Sequence, residues 1–542
     1  MMRDIDRRLL LQLGTFGLAA LALPGAANAA FFARGFTHGV ASGEPSPNSV
    51  LLWTRYVASG DTRLTAELSE TADFARVAGG GSVDARGDAD HTAKLVVTGL
   101  TPDHWYFYRF VAPDGTASPT GRTRTLPDDR VSDFRLALFS CANLPFGWFN
   151  AYAHAAARDD IDLVLHVGDY FYEYRVGTYP SLAEALPGRV IQPNSEAIIL
   201  ADYRLRYASY RADRDLQALH QMAPMIAQPD DHEFANDAWK GGAENHDPAN
   251  EGDWALRKAA AARAYAEWMP VSDVGAKEYR IGDLATLTMP ETRITGRDAQ
   301  PDLGAALAGG GDIGAKLVHF RDAIWSDPAR SMMGAPQEAW IAERLKASVA
   351  AGTRWQIVPQ QVLMGNIVSP PETGQWIAPD APDYLKSRVA IGLAAAKVGL
   401  PFNFDSWDGY PAARERLLTA ALDANANFVT LAGDSHNAWA FDLAHQDTPA
   451  GVEIGGHSVT SPGFEANLPN STEETRVAAL HRVNPALKWA ETTRRGYVTV
   501  AIGRDRIDSD FVFMDTIRDR SLVVANTHRE TVRHGANSLD SL

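Results

Sequence analysis

At 542 residues the chain is too long for one small core, and a prior of about 150 residues per domain points to two to four units. Its 45% hydrophobic and 22% charged residues exclude a disordered or fibrous chain and fit a globular one. A net charge of -16 argues against a nucleic-acid backbone as partner. It leaves phosphate ligands open, because bound metal ions reverse the local field.

Residues 1–29 read as an export signal. Arg7 and Arg8 precede a leucine-rich stretch that ends in Ala27-Asn28-Ala29, giving a positive start, an apolar centre and a small-x-small cleavage site. The paired arginines point to the twin-arginine export machinery, and so to a periplasmic or extracellular mature chain. No later segment has the run of about 20 apolar residues that spans a membrane. In such a compartment Cys141, the single cysteine, has no intramolecular disulfide partner, and its thiol needs another reason.

Residues 30–130 alternate short strands with Gly, Ser, Pro and Asp clusters, as a small β-sandwich does. The expected strands are Val50–Tyr56, Arg63–Leu68, Ala93–Val97 and Trp105–Phe110. Leu100-Thr-Pro102 leading into Tyr106-Phe-Tyr108 is a fibronectin-like or Ig-like entry. Thr125-Leu-Pro-Asp-Asp129 reads as a linker. Residues 131–525 then alternate strands and helices as an α/β domain, and residues 526–542 read as a C-terminal tail.

Within that domain the pattern predicts helices over Tyr152–Arg158, Leu200–His220 and Trp254–Met269, the last closed by Pro270. It predicts strands at Phe134–Cys141, Asp162–Asp169, Thr353–Val358, Asn427–Gly433, Gly496–Ile502 and Ser509–Phe513. The polar loop Gly241–Asp253 has the length and glycine content of an active-site lid.

In an open α/β sheet, ligands collect beyond the carboxyl ends of strands. Cys141 stands at one such end, and Gly168-Asp169-Tyr170-Phe171-Tyr172 at another. Two further loops, Asp230-Asp231-His232-Glu233 and Gly433-Asp434-Ser435-His436, carry potential ligands as well. Asp169 can bridge two cations with its two oxygens. Cys141 and Tyr172 supply anions to one metal and His436 an imidazole, while Asp231 and Asp434 offer oxygens to Ca²⁺ or another hard divalent ion. A pair of metals a few ångströms apart activates water for displacement at phosphorus. His166, inside an apolar strand, reads as a core histidine. His232 is equally suited to ligate a metal or to orient Asp231.

These loops, with Gly39-Val-Ala-Ser-Gly43, Asp405-Ser-Trp-Asp408-Gly-Tyr410, Thr460-Ser-Pro-Gly463 and Arg495-Gly-Tyr497, resemble the alkaline phosphatase D (PhoD-like) family, within the wider calcineurin-like metallophosphatases. The resemblance implies an αββα sandwich behind the N-terminal β-sandwich. It implies Fe³⁺ held by Cys141, Asp169, Tyr172 and His436, and one or two Ca²⁺ held by Asp169 with the Asp231 and Asp434 loops. Asp169, Asp231, His232 and His436 are then the catalytic candidates, with a phosphate monoester or diester as substrate. A phospholipase D-like phosphodiesterase is the alternative on the same site. Met289-Pro290-Glu291-Thr292-Arg293 departs from the family's Leu-Asp-Thr-Arg, and Pro229 replaces an aromatic residue. Two other classes fit parts of the pattern: a cysteine hydrolase with Cys141 as nucleophile and His436 as base, and a non-enzymatic calcium-binding adhesion protein.

Overall fold

The computed structural model describes residues 34–540, so the export signal and its cleavage site at Ala29 lie outside the described residues. The chain opens with β1 (Gly35–Gly43), β2 (Ser49–Val57), β3 (Thr62–Ser69), β4 (Val77–Ala85), β5 (Thr92–Thr98), β6 (Trp105–Val111) and β7 (Gly121–Arg124). Strand alternation decides which face is buried: in β6 it turns Tyr106, Tyr108 and Phe110 inward. They meet Val40, Val50 and Leu52 of the facing strands. The two faces are β1-β2-β5 and β4-β3-β6-β7.

The rest of the chain supplies β8 (Asp133–Phe139), β9 (Leu163–His166), β10 (Met225–Ala227), β11 (Lys277–Ile281), β12 (Ala285–Met289), β13 (Trp355–Pro359) and β14 (Phe428–Ala432). After these come β15 (Ala438–His445), β16 (Thr448–Gly455), β17 (Leu487–Glu491), β18 (Gly496–Gly503), β19 (Arg506–Met514) and β20 (Val524–Arg533). They build a seven-stranded sheet, β11-β12-β13-β14-β16-β15-β17, and most of a nine-stranded one, β20-β19-β18-β8-β9-β10-β1-β2-β5. The centre of each sheet is parallel: β8 with β9 and β10, and β12 with β13 and β14.

Central strands of this kind are buried on both faces, which is why they read as unbroken apolar runs. Leu136, Leu138 and Leu165 of one sheet pack against Leu287, Ile357, Leu431 and Ile454 of the other. Burying each such side chain contributes about 1.5–3 kcal/mol. The outer face of the nine-stranded sheet is covered by helices through Tyr152, Tyr207, Leu216 and Trp268. The outer face of its partner is covered through Ile341, Leu345, Leu417 and Leu418. The layers therefore run helix, sheet, sheet, helix.

The N-terminal strands do not hang on a linker. Gly43 of β1 pairs in parallel with Met225 of β10, which makes the two sheets one. A Cβ at Gly43 would lie 2.0 Å from the Pro270 carbonyl oxygen, so only glycine permits this join. The seam is bonded further by Trp53 Nε1 to the Glu267 carbonyl at 2.8 Å and Lys94 Nζ to the Val271 carbonyl at 2.6 Å.

Two expectations need correction. Leu200–His220 is not one helix but two, Leu200–Arg211 and Arg214–Met222. Asp213 stops the first by accepting the backbone N–H groups of Asp215 and Leu216 as the cap of the second. The expected tail, residues 526–542, begins inside a strand, for β20 pairs with β19 from Val524 to Arg533. Its polar, alternating sequence is that of an edge strand. No helix among the described residues is long and apolar enough to cross a membrane.

Candidate metal centre

The loops after β8, β9, β10 and β14 meet at one end of the sheet pair, and each carries polar side chains with little exposure. Five residues in them adopt left-handed backbone despite having a Cβ: Cys141 (φ 58°), Asp169 (53°), Asp237 (53°), Asp434 (64°) and His436 (64°). Such conformations are costly for L-residues and persist where the surroundings impose them. Here the loops bond to one another. Cys141 N–H donates to the Gly168 carbonyl at 3.2 Å and Ala142 N–H to the Asp169 carbonyl at 2.8 Å. The buried Glu233 carboxylate accepts the N–H groups of Asp169, Tyr170 and Asp230.

Three overlapping donor sets result, each with its ligand atoms within 4.8 Å of one another. Cys141, Asp169 and His436 form the first, Asp169, Asp231 and His232 the second, and Asp230, Asp231 and Asp434 the third. Asp169 is common to the first two and Asp231 to the last two. The Tyr172 hydroxyl lies 3.0 Å from Asp169 Oδ2 and 3.0 Å from His436 Nε2, and accepts from Ser461 Oγ at 2.7 Å.

Both histidines are oriented from behind. His436 Nδ1 donates to the Pro462 carbonyl at 2.8 Å, which leaves the Nε2 lone pair facing the cluster. His232 Nδ1 lies 2.7 Å from Glu173 Oε2 and turns its other nitrogen towards Asp169 and Asp231. Glu173 in turn accepts from Asn236 N–H and from Asn245 Nδ2, both at 2.8 Å. The Gly241–Asp253 loop, expected as a lid, is thus tied to the residue that orients His232.

The charges are crowded. Burial, and then Asp169, push the Cys141 thiol well above its usual range, and the same two causes raise Tyr172. Burial and then Asp230 raise Asp434. Asp231 departs from this: against burial, Arg293 and His232 hold its carboxyl below the usual range. Arg293 is wholly buried. It donates Nε to Asp230, Nη1 to Asp405 at 2.6 Å and Nη2 to Asp434 at 3.1 Å, with Asp231 at 3.6 Å.

The donors fit multivalent cations. Asp169 Oδ1, Asp230 Oδ2 and Asp231 Oδ1 are buried with no hydrogen-bond partner among the described residues. Such an oxygen is costly unless a donor or a cation meets it. Thiolate, phenolate, carboxylate and imidazole in the first set suit a hard, highly charged ion, and the all-carboxylate third set suits a divalent one.

The structure thus brings Cys141, Asp169, Tyr172, Asp231, His232, Asp434 and His436 together. It keeps His166 apart, bonded to the Tyr152 hydroxyl at 2.9 Å in the core. Sequence reasoning did not single out Asp230, Glu173 or Arg293. An excess of acid in four converging loops was the available signal that a buried cation must stand among them. The departure at Glu291 is structural: its carboxylate accepts the N–H groups of Arg293, Ile294 and Thr295, which fixes the loop presenting Arg293.

Gly168 lets the β9 and β10 loops touch. With φ at +105°, a Cβ there would lie 2.3 Å from Asp230 Cβ. Gly168→Ala is therefore expected to cost at least about 3 kcal/mol, from overpacking plus backbone strain. A shifted midpoint of urea unfolding measures it, and an unshifted midpoint would refute the close approach.

Comparison with known proteins accords with this geometry. The family described as PhoD-like phosphatase matches residues 136–511, and the PhoD-like phosphatase N-terminal domain matches residues 22–127. Alkaline phosphatase D of Bacillus subtilis (strain 168) is 30% identical over 518 residues, covering 90% of this chain and 79% of that protein. A solved structure described as "Structure of PhoD" superposes with a TM-score of 0.76 at 27% identity, over 94% of this chain and 93% of the other. With its sheets, strand-end loops and matched length in agreement, the chain belongs to the PhoD-like phosphatase family.

Proposed function

We propose that this phosphohydrolase hydrolyses phosphate monoesters, diesters or both at a centre of one Fe³⁺ and one or two Ca²⁺, within a sheet pair of the calcineurin-like type. The observation that carries the reading is the sharing of Asp169 between two donor sets, with buried carboxylate oxygens that no donor among the described residues meets. Cys141, Asp169, Tyr172 and His436 would hold the iron, and Asp169, Asp231 and Asp434 the calcium. Two cations so placed supply an activated water and charge stabilisation for displacement at phosphorus.

The chain's own residues fix the geometry around them. Asp169, held at its N–H by Glu233, sets the spacing of the two donor sets. His232, anchored by Glu173, is placed to donate a hydrogen bond to a phosphoryl oxygen or to the leaving group. The Pro462 carbonyl keeps the His436 ring in one tautomer. The cysteine-hydrolase reading is disfavoured because Cys141 is fully buried and because it leaves Tyr172 and the acidic residues without a role. The paired arginines at Arg7 and Arg8 support export of the folded, metal-loaded chain by the twin-arginine route.

Metal analysis with a panel of mono- and diesters, before and after chelation, tests the proposal. Tyr172→Phe is expected to remove or shift a visible charge-transfer band and to lower turnover while the fold persists. A colourless, iron-free and fully active preparation of the unaltered protein would refute the iron assignment.

A further inference from the structure

Gly39-Val-Ala-Ser-Gly43 has no part in the metal centre. It forms β1, at the seam where the N-terminal strands join the main sheet. Behind this strand lies Arg211, the last residue of the helix Leu200–Arg211, with 0% exposure. Its guanidinium stacks 4.0 Å from the Trp53 ring. Yet Nε, Nη1 and Nη2 make no hydrogen bond of good geometry among the described residues, only a loose approach to the neutral Tyr170 hydroxyl, and no carboxylate there forms an ion pair with it.

The other fully buried arginines each meet a carboxylate or several carbonyls, although Arg297 Nε makes no hydrogen bond among the described residues. Arg206 donates to the carbonyls of Tyr172, Gln192, Pro193 and Ser195. Arg257 pairs with Glu196 and Glu251, and Arg293 and Arg297 both pair with Asp405. The carboxylates in the neighbourhood of Arg211 are committed elsewhere. Asp213 holds Arg189 and the cap of the next helix, and Glu233 holds three N–H groups of the metal loops.

Around Arg211 positive charge and donors are in surplus. Burial, Arg55 and Arg211 together hold the His38 imidazole well below its usual range, so it stays neutral. Lys94, half-buried at the seam, also feels Arg211, and the carboxylates that it feels as well, Glu44 and Glu267, are paired with Lys277 and with Arg204 and Arg263. Ser42 Oγ and the Tyr108 hydroxyl lie side by side near the guanidinium, and neither has a partner beyond the other among the described residues. A desolvated cation–π stack is worth about 2 kcal/mol, whereas burying an ion costs several. Water can satisfy N–H groups, but it brings no charge.

We propose that Arg211 holds a small monovalent anion of the halide class, enclosed at the seam, with the Ser42 and Tyr108 hydroxyls as further donors. One negative charge matches the one unpaired guanidinium, and a phosphate dianion would bury a second charge without a partner. Ser42, Trp53 and Tyr108 are each 0% exposed, so the ion is captured as the N-terminal strands close on the main sheet. The site is separate from the metal loops, and the role assigned to it is structural.

Long-wavelength X-ray diffraction from crystals of the whole chain grown in chloride tests this, because chloride scatters anomalously there and water oxygen does not. The expected result is an anomalous peak in contact with the Arg211 guanidinium. Density of oxygen strength without a peak would overturn the proposal. Protein refolded in chloride should also melt higher than protein refolded in a bulky organic anion at equal ionic strength, with Tm rising as the logarithm of halide concentration. Arg211→Met should abolish that dependence. If the variant fails to fold, the two measurements on the unaltered protein decide, and equal Tm in the two salts would overturn the pairing.

Discussion

Replacing Asp169 with alanine is expected to lower kcat by on the order of 10³-fold or more, because the two donor sets lose their common member together. The loss should fall on turnover far more than on KM. Metal analysis of the same protein should show both iron and calcium depleted, which no single-site ligand would cause. His436→Ala, by contrast, removes a member of the first set only and should weaken iron before calcium. Normal content of both metals in Asp169→Ala would refute the bridging role, whatever the activity.

The second large effect concerns stability. Arg293→Met removes the guanidinium that stands among Asp230, Asp231, Asp405 and Asp434 and leaves buried carboxylates facing one another. Breaking a buried ion pair from one side costs about 3–5 kcal/mol. The expected result is a fall of that size in unfolding free energy when a chelator is present. Adding calcium should recover part of it, since a divalent ion at the third donor set replaces lost positive charge. An unchanged denaturation midpoint in chelator would show that the acid cluster does not depend on Arg293.

Much of the fold was legible because its central strands obey simple rules. Phe134–Cys141 and Asn427–Gly433 are apolar throughout because they are buried on both faces, and helices of ordinary composition separate them. The helix break at Asp213 was not legible: the stretch is helical in pattern on both sides, and only the side chain's capping bonds end the first segment. β4 escaped for another reason. Its Gly79-Gly80-Gly81 has poor strand propensity, and pairing with β3 decides its conformation. β20 was hidden because an edge strand with one solvated face has almost no apolar signature.

At the candidate metal centre, the residue types and their places at strand ends singled out Cys141, Asp169, Tyr172, Asp231, His232, Asp434 and His436, which the fold brings together. The role of Arg293 was not legible, since its partners lie 63, 112 and 141 residues away along the chain. Glu173 follows directly after Tyr172, yet nothing local says that it turns back to hold His232. The left-handed backbone at Cys141, Asp169, Asp434 and His436 was equally invisible, because none of these is a residue type that requires it.

The pairing of Gly43 with Met225 bears on how the chain can be dissected. A cut near residue 130 looks natural in the sequence, where a small sandwich ends and an α/β pattern begins. Such a cut would strip β10 of its neighbour, expose a row of unpaired backbone N–H and C=O groups, and bare the Trp53 and Trp268 face to water. Each fragment would inherit an adhesive margin. The N-terminal strands act as the closing wall of a shared sheet, so the two segments stand or melt as one cooperative body.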